Sequence, residues 1–162
     1  MAAFTMYPND EHLDRGSRAA FNLYIVTSVA LFVLMMLLGL TMRSAQATWL
    51  SVPPDLFYRI LSMHGAGMVG TAGLATTAVM WYFLRKYVRL HLWAFMTNYV
   101  MFMLGALCII FAIFVDGYGA LWTFLYPLPV HSMGQWSPNA AALFMVGYLL
   151  IGVGMLVFYL DA

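Results

Sequence analysis

Polar and apolar residues are segregated along this chain into long blocks, without the strict alternation of a half-buried strand. Four blocks contain no Asp, Glu, Lys or Arg: 19–42, 60–84, 92–115 and 139–160. Each is long enough to cross a hydrocarbon layer of roughly 30 Å as a helix, which takes about 20 residues. In lipid every backbone N–H and C=O must be satisfied internally, and no alternating pattern supports barrel strands, so the four blocks predict helices. The predicted fold is all-α, an integral membrane bundle of four transmembrane helices spanning 19–162, with 1–18 as a polar tail. The connections are 43–59, a short turn over 85–91, and a longer segment over 116–138 that is rich in aromatic residues and proline. No internal repeat or low-complexity tract interrupts this plan.

Composition removes the main alternative. Apolar residues make up 64% and charged residues 8% of the chain, against roughly 45–50% and about 25% in soluble domains. A formal charge of +1 provides no broad basic field, so nucleic acid is not an expected partner. The placement of the charges is more informative than their sum. Arg15 and Arg18 precede the first block, and Arg85, Lys86 and Arg89 fill the second connection; two crossings put both groups on one side. Only Arg43 and Arg59 lie opposite. The excess of cations assigns the amino terminus to the cytoplasm. Trp49, Phe57, Tyr58, Tyr118, Trp122, Tyr126 and Trp136 would then form an outer aromatic belt. The acidic and basic residues of the tail do not form a cleaved signal peptide, so the first apolar block is expected to drive insertion and to be retained. Cys108 has no second thiol in the chain and reads as a small buried hydrophobe.

His64 is the single histidine within an uncharged block, four residues from its start and so about 6 Å deep at 1.5 Å per residue. An ionisable side chain at that depth needs an internal partner, which makes it the first candidate for function. Gly65, Ala66, Gly67, Gly70, Thr71, Ala72, Gly73, Ala75, Thr76, Thr77 and Ala78 follow it, stripping the helix of bulk. Small residues let helices approach closely. They would equally leave a flat slot beside a neutral imidazole, the common axial ligand of haem iron. Both readings, a packing histidine and a haem ligand, are open from the pattern alone. Arg43 and Arg59 lie at the same outer level and could pair with haem propionates, or simply extend to the interface. His131 could serve a cofactor edge or proton exit, or be solvated; His12 and His91 read as structural or solvent-facing. Asp116 reads as an interface residue, or else as the start of a proton exit route. Most methionines lie within the blocks, where they fill gaps between helices.

The run Leu61-Ser62-Met63-His64-Gly65 resembles the second helix of haem–copper oxidase subunit I, the core polypeptide of cytochrome c and quinol oxidases. Trp122-Thr123-Phe124-Leu125-Tyr126-Pro127-Leu128-Pro129 is similar to the Trp-Thr-x-Tyr-Pro-Pro-Leu loop between that family's third and fourth helices. One residue is inserted before Tyr126, and Leu128 splits the proline pair. The resemblance covers nearly the whole chain but the amino-terminal third of a typical subunit I. It implies that His64 is an axial ligand of a low-spin haem, a- or b-type, approached from the outer side. It also implies that Trp122 and Tyr126 belong to the cofactor surroundings. The second haem ligand, the copper-ligating histidines and the remaining helices would be carried by a partner chain, so no residue here is assigned to catalysis and copper is expected on the partner only. A subunit II-like electron-entry protein and a respiratory plasma membrane complete the expected setting, with electron transport and proton transport. The chain reads as a split subunit or as an amino-terminal fragment of one, and the rival readings are a haem-free assembly subunit and a separate membrane b-type cytochrome.

Overall fold

The computed structural model describes residues 13–121 and 132–162. It contains four helices, α1 (Arg15–Gln46), α2 (Pro54–Leu84), α3 (Leu92–Phe114) and α4 (Pro138–Asp161), and no strand among the described residues. Each has a stretch long and apolar enough to span a bilayer. The chain is therefore an all-α integral membrane protein, as its block pattern predicts.

Three of the helices outrun their apolar blocks, because end chemistry and not hydropathy stops a helix. Asp14 caps α1, its Oδ2 accepting from the backbone N–H groups of Gly16 at 2.9 Å and Ser17 at 3.3 Å. Hydrogen bonds from Ser17, side chain first and backbone second, hold the Asp14 carboxyl below its ordinary value. The helix thus begins inside the segment that reads as a polar tail. At α2, Pro54 occupies the first turn, where its missing N–H costs nothing. Asp55 and Arg59 pair at 3.4 Å along that turn. Ser137 caps α4 by accepting from the Ala140 N–H at 3.2 Å, with Pro138 as the first helical residue.

Packing is most extensive between α1 and α2 and between α3 and α4, which makes each pair antiparallel neighbours. These two hairpins meet chiefly along α2 and α3, while the α4 backbone approaches neither α1 nor α2 closely. The result is an open arc, not a closed bundle. Where α3 begins and α4 ends, the two helices are tied by Asp161, whose carboxylate accepts from the His91 backbone N–H at 2.8 Å and lies 2.6 Å from His91 Nδ1.

The core falls into two layers. In the inner one the Tyr24 ring stacks on Phe95 at 4.0 Å, and Phe95 stacks on Trp81 at 4.6 Å. The buried Tyr24 hydroxyl donates to the Phe95 carbonyl at 2.6 Å and lies 2.9 Å from the Asn98 side-chain amide. Interhelical hydrogen bonds in membranes average about 0.6 kcal/mol and reach about 1.7. Tyr24→Phe should lower stability by about that range in detergent, read as a lower midpoint in thermal or denaturant unfolding. An unchanged midpoint would mean that the bond between α1 and α3 contributes nothing. The outer layer gathers Met35, Met63, Ile109, Ile113, Tyr118 and Phe144, and it supports the surroundings of His64.

Candidate functional site between α1 and α2

His64 lies in the amino-terminal half of α2 with its ring directed at α1. Its Nδ1 is 2.8 Å from the backbone carbonyl oxygen of Met35. A carbonyl oxygen only accepts, so the bond places the proton on Nδ1 and leaves the lone pair on Nε2. A neutral imidazole held in this way by a backbone carbonyl is the usual form of a metal-ligating histidine. The ring rests against Gly39 of α1.

Met68, Thr71 and Ala75 follow His64 at spacings of four, seven and eleven residues, and so share its face of α2. With Ala72 they form one wall of a groove of about 320 Å³, and Ser28, Val29 and Phe32 of α1 form the other. The groove is nearly all apolar. Its polar side chains are Thr71 and Ser28, and the Ser28 hydroxyl is buried without a hydrogen-bond partner. Four positions from His64 to Ala75 thus mark a continuous strip about 16 Å long at the helical rise.

The small residues after His64 do not leave the helix bare on every side. Gly67 takes the Met35 side chain, Gly70 faces the Phe102 ring and Gly73 faces the end of Met155, so α1, α3 and α4 fill those faces. The larger open space lies on the Met68–Ala75 face, and a cavity of only about 60 Å³ remains beside Met63, Gly67 and Gly70. The small-residue pattern therefore serves both readings at once, close packing on three faces and a slot on one.

Ser62, two residues before His64, is fully buried and joins two parts of the site. Its hydroxyl donates to the Tyr58 carbonyl at 2.8 Å and accepts from the Leu121 N–H at 2.9 Å. Leu121 is held at φ +65°, an uncommon conformation for a side chain of its size. The bond fixes the chain where the Trp122 motif begins. Ser62→Ala would leave the Leu121 N–H without its acceptor, at about 1–3 kcal/mol where it stays buried. The expected result is lost hydrogen-exchange protection at the Leu121 amide, with protection in mid-α2 unchanged.

Arg43 lies one turn beyond Gly39 on α1 and donates to the Gln46 side chain at 3.0 Å near the exposed carboxyl end of that helix. Arg59 lies about 140° around α2 from His64. Its guanidinium pairs with Asp55 and packs against Gly117, which has φ +83°. The structure thus brings Arg43 to the His64 side and Arg59 to the connection after α3. In that connection Tyr118 stacks on Phe144 at 4.1 Å, and burial pushes its phenol above the ordinary value, so it stays neutral. Trp122, Tyr126 and His131 lie outside the described residues. Among the described residues no three His, Cys, Asp or Glu side chains form a metal-binding group.

The family model described as cytochrome c and quinol oxidase polypeptide I matches residues 19–161. The chain belongs to that family. Neither a curated protein nor a solved structure matches it significantly. Membership makes this subunit I chain a component of a haem-containing, multisubunit respiratory oxidase in a membrane. The match starts at the first residue of the first apolar block and runs to the end of α4. Sequence reasoning singled out His64 and Arg43 in this subunit I chain but missed Met35, Gly39 and Ser28. The available signal for Gly39 was a lone glycine within an otherwise bulky Leu and Met run of α1.

Proposed function

We propose that His64 supplies one axial ligand of a low-spin haem and that this subunit I chain serves electron entry to a binuclear oxygen-reducing centre on a partner chain. The observation that carries this reading is the Nδ1 bond to the Met35 carbonyl, which leaves Nε2 as a free donor for iron. The groove residues fit such a group. Ala72, Ala75 and Thr71 leave room for a flat ring, apolar walls suit a porphyrin, and the buried Ser28 hydroxyl lacks a partner that a bound group would provide. Bound haem would contribute reversible one-electron transfer.

The chain's own residues hold and tune the group. His64 ligates, and the apolar walls of α1 and α2 lower the local dielectric, a lever on potential. Arg43, at the charged outer end of the same face, would pair with a propionate. Arg59 would act from the other side of α2, through the connection that leads to Trp122 and Tyr126. Those two residues and His131 would line the outer edge of the cofactor. The open arc leaves much of α1 exposed, and helices of the partner chain would cover it, carrying the second axial ligand and the copper ligands. A subunit II-like protein would deliver electrons from outside, from a cytochrome, a blue-copper protein or a quinol. In this arrangement the amino terminus faces the cytoplasm of a respiratory plasma membrane, and proton transport belongs to the assembled complex.

The test is an optical spectrum of the complex purified through a tag on this chain, with identification of its co-purifying chains. Low-spin haem bands, together with a partner bearing the missing histidines, are expected. A preparation free of porphyrin would favour a haem-free assembly subunit, and haem without such a partner would favour a separate b-type cytochrome.

A further inference from the structure

In an α-helix each side chain leans back over the preceding turn, toward the residues three and four positions earlier. The side chain at position 39 would therefore lean over the turn that carries the Met35 carbonyl. Position 39 is glycine, and the His64 ring occupies the space that a side chain would fill. A Cβ built there would lie 2.9 Å from His64 Cε1 and 3.5 Å from both ring nitrogens. The first distance is too short to keep, and the atom it meets belongs to a rigid ring, not to the end of a flexible chain. Alanine at 39 would displace the imidazole from the Met35 carbonyl, 2.8 Å away in the native arrangement.

We infer that Gly39 is a positioning residue: its missing side chain opens one backbone carbonyl of α1 to His64, and that carbonyl fixes the imidazole as its Nδ1–H tautomer. This rests on the haem reading for its functional meaning, because the tautomer decides which nitrogen can bind iron. The tautomer itself is a property of the chain with or without haem. In low dielectric the choice is strongly enforced, since the alternative tautomer would set an Nδ1 lone pair against a carbonyl oxygen. Removing such an outer partner typically costs about 10- to 100-fold in metal affinity.

The control is built into α4. Gly152 also lies within a spanning helix, but nothing is within 4 Å of a Cβ added there. Alanine favours helix over glycine at both positions, so a difference between the two variants reports on His64 and not on helix formation.

The experiment compares the full wild-type chain, Gly39→Ala and Gly152→Ala in lipid nanodiscs, by nitrogen-15 NMR of the His64 ring without haem and by titration with haem. Wild type and Gly152→Ala should show one Nδ1–H tautomer. Gly39→Ala should show a mixture or the opposite tautomer and bind haem about 10- to 100-fold more weakly. Should Gly39→Ala fail to insert, an amide-to-ester exchange between Met35 and Met36 weakens the Met35 acceptor without adding bulk, and the same loss of tautomer preference is expected. An unaltered tautomer in either Gly39→Ala or the ester chain overturns the inference. Absence of haem binding by wild type, with the tautomer still fixed by Gly39, would instead overturn the haem reading and leave the positioning role intact.

Discussion

His64→Ala should abolish the low-spin haem bands of the assembled oxidase while leaving the chain inserted and helical. The two halves of this expectation have different physical sources. The structural contribution of His64 is modest: the ring makes one hydrogen bond to a carbonyl and packs on a glycine, and such a bond is worth about 1 kcal/mol net. Four long apolar helices do not depend on it. Under the haem reading the iron bond is a far larger contribution, and of Met68, Thr71, Ala72 and Ala75 on the same face only the Met68 thioether, about 6 Å farther along the helix, could bind iron at all. The loss in haem affinity should exceed the roughly 100-fold upper range that removal of an outer partner produces. The replaced ring also leaves a space of its own shape between Met35 and Gly39. Free imidazole added to the buffer should enter it and restore part of the bands. Bands that persist at full strength in the variant would remove His64 from the ligand set.

The helices themselves were readable because lipid imposes one rule on long uncharged stretches, and that rule concerns length and composition alone. Helix ends were less readable. Arg15 and Ser44 lie outside the first uncharged block but inside α1, since a helix continues into the interface until a cap or a breaker stops it. His64 was legible for the same reason as the blocks, being an anomaly in a uniform background. Its partner was not. The Met35 carbonyl belongs to a backbone that every residue possesses, and no side-chain pattern marks which carbonyl another helix will reach. Ser62 stood in the recognised motif, yet its bond to Leu121 depends on how the connection after α3 folds back, a long-range contact outside any helical period. The glycines after His64 were legible as small and illegible as to face. Which of them take a neighbour's side chain depends on the positions of Met35, Phe102 and Met155 on three other helices.

Gly147→Leu should separate α4 from α3 and disturb the site from below. Lipid tails are as apolar as the helices, so nothing analogous to hydrophobic burial holds two spanning helices together; close packing of their backbones must do so. Here that approach depends on facing glycines. A Cβ on Gly147 would lie 2.7 Å from the Gly105 carbonyl oxygen and 2.7 Å from Ile109 Cγ1; one on Gly105 would lie 2.5 Å from the Gly147 carbonyl oxygen. Two turns along α4, a Cβ on Gly154 would be 2.8 Å from Met101 Cβ. Backbone oxygens cannot rotate aside as a side chain can, so leucine must push the helices apart along the whole contact. Overpacking of this kind costs about 1–3 kcal/mol and occasionally more, and these obstructing backbone atoms argue for the upper part. Phe144, one turn from Gly147, carries the stacked Tyr118 ring, and Tyr118 lies in the connection that Ser62 anchors at Leu121. Displacement of α4 should therefore loosen this connection as well. Spin labels on cysteines at the exposed Leu104 and Leu149 of a Cys108→Ser background, whose dipolar coupling weakens with distance, would measure the separation with and without Gly147→Leu. Haem content of the same preparations would show whether it reaches the site. Equal coupling in the two preparations would mean that α3 and α4 are held together by something other than the glycine contact.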